Sequence, residues 1–324
     1  MKKVKLTFAG DWGLIRQTPG NRGIWGDYEF HINSEEEENF DYWVVYNNLL
    51  QSETTSCREA KTLLITGEPP SVHRYNAKFL SQFGAIITCQ QNLRHPNRHI
   101  DQQGLPWHIL RECDEKDPSF SYDTLLSRDD PEKQKLISVI SSNKDFTSGH
   151  KKRVQFLEHL KNAFGDEIDI FGRGIRDIEK KWDALAPYQY HIVLENSTFE
   201  DYWTEKLSDS YLAMCYPFYF GCPNIYDYFK ESMLTPININ NPSEAVQIIK
   251  RSIQEKRFEI QKNDILKAKE LVLNRYNLFA LISDFLQINE KEFDKATFIA
   301  TTIKPEKKHG KLKKLYRKLK DFAG

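Results

Sequence analysis

The first half of the chain alternates short apolar runs with polar stretches. Val4 to Ala9, Tyr42 to Tyr46, Thr62 to Thr66 and Ala85 to Thr88 are each nearly continuous in apolar residues. Such runs suit strands buried on both faces, as in a parallel sheet covered by helices. A helix is expected over Asn76 to Gln82. A second set begins at Lys135 to Ser141. It continues with a helical period over His150 to Phe164 and strands over Asp166–Phe171, Tyr190–Leu194 and Tyr216–Phe220. A helix falls between the last two, over Thr204 to Met214, with Leu207, Tyr211 and Met214 on one face. Leu234 to Ile239 adds a short apolar run, and residues 243–287 read as mostly helical. This repeated strand–helix–strand grammar predicts an α/β fold of two doubly wound units with a cleft between them. Ligands in such sheets bind beyond the carboxyl ends of strands. Glu68, Arg173, Glu195 and Asn196 stand at those ends.

Composition narrows the function. The chain has 324 residues, enough for two cores. Lys+Arg and Asp+Glu are both 46, which argues against a nucleic-acid binder. The charge is uneven: Glu35–Glu38 is an acidic run expected in an exposed loop, and the last residues are basic. The five cysteines form no C-x-x-C pair, so buried free thiols in a reducing compartment are expected rather than disulfides or zinc. The N-terminal apolar run is interrupted by Lys5 and stops at Asp11, too short for a signal peptide. With no segment of about 20 apolar residues, a cytoplasmic location is expected. Lys304 to Lys308 reads as a linker. Lys311 to Phe322 then sets apolar residues at helical spacing among six basic ones. Such a helix suits an anionic membrane surface, or a solvated helix folded on the domain.

The chemistry concentrates in Tyr190-His191-Ile192-Val193-Leu194-Glu195-Asn196-Ser197 and Tyr202-Trp203-Thr204-Glu205-Lys206. A strand delivers a carboxylate and an amide, and a helix starts shortly after, capped by Thr204. A helix start is an anion site, but its dipole supplies only about 0.3–1 kcal/mol. Holding a diphosphate therefore needs added cations. Lys206 is one candidate, although Glu205-Lys206 also reads as a solvated first turn. Arg153 is another, against the reading of a surface basic cluster. Arg173, between two glycines, is weaker and is equally explained by a plain turn. Glu68, in Thr66-Gly67-Glu68-Pro69-Pro70, is the candidate base, or else a turn or capping glutamate. His73 is the second candidate. No Asp-x-Asp occurs, so no obligatory metal is expected, with divalent-metal stimulation left open.

The stretch Tyr190 to Phe229 resembles the donor-binding motif of the α-1,3-fucosyltransferase family, glycosyltransferase family 10. The matching pieces are Leu194-Glu195-Asn196, Tyr202, Thr204-Glu205-Lys206 and Tyr216-Pro217-Phe218-Tyr219-Phe220-Gly221. The resemblance implies a GT-B architecture and an inverting transferase using GDP-fucose. Residues 1–141 would receive the glycan acceptor, 142–303 would hold the donor, and 304–324 would form the tail. It implies donor contacts from Asn196, Tyr202, Glu205 (ribose) and Lys206 (phosphates), with Glu195 as contact or support. Arg153 would meet the diphosphate and Glu68 would act as base. Two alternatives remain: a transferase of this type using another nucleotide sugar, and a nucleotide- or glycan-binding protein without turnover. A hydrolase using Glu68 and Glu195 would give Arg153 and Lys206 no leaving group to neutralise.

Overall fold

Two parallel sheets carry the fold. The computed structural model describes residues 1–10, 13–35, 39–57, 61–110, 120–128, 130–141, 148–172, 174–290 and 298–306, with backbone alone for 148–151. Six expectations fall outside it wholly or in part: most of the run Glu35–Glu38, Cys113, most of the loop after Ser141, Arg173, the end of the linker Lys304–Lys308 and the basic tail.

The strands are β1 (Lys2–Phe8), β2 (Ile24–Trp25), β3 (Tyr28–Ile32), β4 (Asn39–Phe40), β5 (Tyr42–Tyr46), β6 (Glu53–Cys57), β7 (Thr62–Ile65), β8 (Ala85–Thr88), β9 (Arg98–Ile100), β10 (Lys135–Ile140), β11 (Ile168–Phe171), β12 (Tyr188–Leu194), β13 (Tyr216–Phe220), β14 (Thr235–Pro236) and β15 (Ile299–Ile303). The helices are α1 (Ala77–Leu80), α2 (Tyr122–Ser127), α3 (Ser148–Phe164), α4 (Glu205–Leu212), α5 (Pro242–Gln254), α6 (Arg257–Ile260), α7 (Lys262–Asn274) and α8 (Leu278–Ile288).

The first sheet runs β2-β3-β1-β5-β7-β8-β9, parallel except for β2. The second runs β11-β10-β12-β13-β14, parallel throughout. In each the order reverses beside its opening strand, between β1 and β5 and between β10 and β12. A crevice opens at such a point. The apolar runs are continuous because both faces are covered. Val4, Leu6 and Phe8 pack against α8, while Trp43 and Val45 lie in a separate cluster on the other face. The second core gathers both faces of its sheet with α3, α4, α5 and α7. Two parallel sheets with helical layers realise the doubly wound α/β architecture expected from the sequence.

The chain crosses between units more than once. Trp107, Ile109 and Phe120 enter the second core, whereas Leu278–Leu286 of α8 return to the first. β15 then pairs antiparallel with β6. The segment read as a linker at Lys304 is packed as far as Glu306, whose side chain is 4% exposed. Sequence reading missed this because a single carboxylate among lysines looks solvated until its partners, over 200 residues earlier, are in view. Among the described residues, Cys57, Cys89, Cys215 and Cys222 are buried free thiols. Among them, too, no helix is long and apolar enough to cross a membrane.

Candidate active site

β12 is buried along nearly its whole length and ends at Glu195, which is itself 2% exposed. Its carboxylate accepts the Thr204 N–H at 2.8 Å and the Thr204 hydroxyl at 2.8 Å, and meets Lys206 Nζ at 3.4 Å. Thr204 Oγ1 in turn accepts the Lys206 N–H, capping α4. The strand end therefore fixes the helix start. Gly221 closes β13 beside it: a Cβ there would stand 2.5 Å from Glu195 Cγ and collide with the Tyr219 hydroxyl. Only glycine leaves that room. Sequence reading gave Glu195 two roles, donor contact or support. Its side chain is 0% exposed and bonds to Thr204 and Lys206.

An ionic chain runs behind this corner. Lys206 Nζ lies 3.3 Å from Glu205 and 3.4 Å from Glu195, with a quarter of its side chain open. Burial lowers its pKa, but the two carboxylates outweigh burial and raise it, so it stays charged. Glu205 also meets His108 Nδ1 at 3.4 Å. Burial raises the Glu205 pKa, yet His108, Lys206 and Lys181 together hold it well below the carboxylate range. One turn on, Lys181 Nζ pairs with Asp209 at 2.7 Å; burial lifts that acid to about 6 despite the lysine. Lys206 is thus an oriented cation whose charge is shared. Glu205 turns inward, leaving 8% of its side chain reachable.

Asn196 points the other way and is exposed. Its Oδ1 accepts the Arg153 Nη1–H at 2.9 Å. α3 follows β10 and α4 follows β12, so Arg153 and Asn196 meet across the crevice where the strand order reverses. Lys152, next to Arg153, reaches Asn240 Oδ1 at 2.7 Å in the loop before α5. Two distant sequence candidates are thereby brought together on one crevice.

Glu68 follows β7, half-buried. Tyr202 is 3% exposed, and its hydroxyl pKa is raised by burial first, then by Glu195, Glu68 and Glu205. Tyr202 is a buried residue of the loop that follows Glu195, and that loop meets the one that carries Glu68. The two loops touch directly: Ser71 Oγ and Ser197 Oγ share a hydrogen bond of 2.7 Å. Asp201 holds the same junction. It accepts from Gln91 of one unit, and from Asn224 and Tyr228 of the other. Its φ of 58° is a left-handed conformation that Asp tolerates better than most residues. His73, the other acceptor-side candidate, is bound to Glu306. Gly172 pairs with Arg176 and Gly174 has φ 80°, while Arg173 itself lies outside the described residues.

Asp201, His108, the Lys181–Asp209 pair and Glu306 were not picked out from the sequence. Each acts on a partner distant in the chain, and no local spacing announces it.

Residues 130–251 match the family described as glycosyltransferase family 10 (fucosyltransferase), C-terminal. Over 132 residues the chain is 26% identical to the alpha-(1,3)-fucosyltransferase FucT of Helicobacter pylori, covering 37% of this chain and 25% of the relative. The chain thus spans about a quarter of the curated relative it matches. A crystal structure of an alpha1,3-fucosyltransferase with GDP superposes at a TM-score of 0.48, with 17% identity over 86% of this chain and 92% of that one. One with GDP-fucose gives 0.47, with 16% identity over 85% and 92%.

Proposed function

We propose that this chain, whose residues 130–251 match glycosyltransferase family 10 (fucosyltransferase), moves fucose from GDP-fucose to a hydroxyl of a glycan with inversion. The linkage proposed is α-1,3 and the acceptor a surface polysaccharide or lipopolysaccharide. The observation that carries this reading is the Arg153–Asn196 contact of 2.9 Å in the crevice, with the Glu68 loop held against the loop after Glu195 through Ser71 and Ser197.

The donor's diphosphate would lie over the start of α3, against the Arg153 guanidinium. A planar fork suits phosphate oxygens. Lys206, steadied by Glu195 and Glu205, would offer its open quarter to the same charge. Glu205 would meet the ribose with its small exposed edge. On the opposite side the Glu68 carboxylate would take the proton of the acceptor hydroxyl. The hydroxyl oxygen then bonds to the sugar carbon as the bond to GDP breaks on the other face. One base on the acceptor side and cations on the leaving side are what a single inverting displacement requires. A positioned base contributes roughly 10²–10⁴-fold.

No metal is needed in this reading, because Arg153 and Lys206 supply the positive charge at the leaving group. Turnover should therefore survive EDTA. The basic segment Lys311–Phe322 would dock the enzyme on an anionic membrane face; co-sedimentation with anionic but not neutral vesicles tests that. The transferase reading itself is tested by incubating the protein with GDP-fucose and candidate glycans. GDP release that depends on acceptor is expected. Absence of both GDP-fucose binding and GDP release would overturn it.

A further inference from the structure

The loop that carries Glu68 is held from two sides. Gln90 Nε2 donates to the Glu68 carbonyl at 2.8 Å and to the His73 carbonyl at 2.9 Å. The second hold comes from the far end of the chain. Glu306 Oε2 lies 2.5 Å from His73 Nε2, and Oε1 accepts the Asn76 N–H at 2.6 Å and its Nδ2–H at 2.7 Å. The Glu306 N–H is itself taken by Asn48 Oδ1 at 3.0 Å. Asn76 in turn caps α1 through the Phe79 N–H. Tyr75 completes the cluster, edge-on to the His73 ring with centroids 4.4 Å apart, its hydroxyl bonded to Asn47.

A carboxylate with only 4% exposure is costly unless its oxygens are met by donors. Here three donors converge on it, and all three belong to His73 or Asn76. Glu306 thus spans the C-terminal half of the Glu68 loop, while Gln90 fixes the backbone at Glu68 and His73. The residue lies outside the matched stretch 130–251, in a segment that no sequence motif assigns.

We infer that Glu306 is a positioning residue for the acceptor side of the reaction, holding the Glu68 loop through His73 and Asn76. The inference rests on the reading of Glu68 as the base. It follows that the chain through Glu306 is part of the catalytic unit.

The test uses the full chain with Glu306→Gln, His73→Gln and the double variant. GDP-fucose affinity, thermal midpoint, kcat and acceptor KM are measured, together with amide exchange over residues 68–76. Misplacing a catalytic group by an ångström costs up to about 10²-fold. Each single variant should lower kcat by about 10- to 100-fold, speed exchange in 68–76, and leave GDP-fucose affinity unchanged. The double variant should be no worse than the weaker single. Full kcat and unchanged exchange in Glu306→Gln would overturn the inference. So would a loss of GDP-fucose affinity equal to the loss of kcat, which marks general structural support. Should Glu306→Gln fail to fold, His73→Gln carries the test by the same criteria, because it leaves the Asn76 contacts in place. Glu68→Gln separates the two readings. If it keeps transfer, the base assignment fails; if it is inactive while Glu306→Gln is fully active, only the positioning role fails.

Discussion

Ser71 Oγ and Ser197 Oγ lie 2.7 Å apart although 126 residues separate them. One follows Glu68 by three positions and the other follows Glu195 by two. Their bond ties the end of a strand in the first sheet to the end of a strand in the second. It brings the loop that carries Glu68 against the loop that follows Glu195.

Arg153 is expected to carry much of the diphosphate affinity. A hydrogen bond to a charged group is worth about 1.5–3 kcal/mol. Arg153→Ala should therefore weaken GDP binding by about 10- to 100-fold in titration calorimetry, with the thermal midpoint little changed. Undiminished GDP affinity would place the phosphates elsewhere.

Lys206 should matter to stability as well as to binding. Its removal leaves Glu195 and Glu205 adjacent and buried. Breaking a buried pair costs about 3–5 kcal/mol, and the quarter of Lys206 that is open to solvent reduces this to about 2–3 kcal/mol. Lys206→Met should show that loss in urea unfolding at neutral pH, along with weaker GDP binding. A variant as stable as the parent would mean that the cluster behaves as a surface pair.

His191 predicts a pH signature. It is buried on β12, with Nδ1 on Ser138 Oγ at 2.8 Å. Burial first, then Lys181 and Lys133, lower its pKa to about 3. The folded state therefore resists a proton that the unfolded chain takes up near pH 6.5. Its contribution is complete above that pH and is lost as pH falls towards about 3. Asp209, lifted to about 6, acts in the opposite sense over part of this window, so the difference between variants is the clean measure. Below pH 6.5, His191→Gln should gain relative to the parent by about 1.4 kcal/mol per pH unit. A pH-independent difference would contradict a proton-resistant His191.

Much of this was legible in the sequence. Continuous apolar runs gave the parallel strands, and Thr204 marked the start of α4. The pieces from Leu194 to Gly221 also carried their spacing, because strand, loop and helix there are consecutive in the chain. What stayed hidden was long-range. β3 and β6 lack a strong apolar run: Glu53–Cys57 reads as a polar loop until β15 pairs with it. His108, Asp201 and Glu306 look solvated one by one. They become buried or bridging only when partners from the other end of the chain arrive. The inward turn of Glu195 was hidden for the same reason, since its partner Thr204 and the space left by Gly221 are tertiary facts.

The most direct measurement is acceptor-dependent turnover of Glu68→Gln alongside its GDP affinity. Glutamine keeps the shape and removes the base. Transfer should fall by roughly 10²–10⁴-fold while GDP binds as tightly as to the parent. Turnover equal to the parent's, or a collapse of GDP affinity with it, would contradict a lone acid acting across the crevice from Arg153.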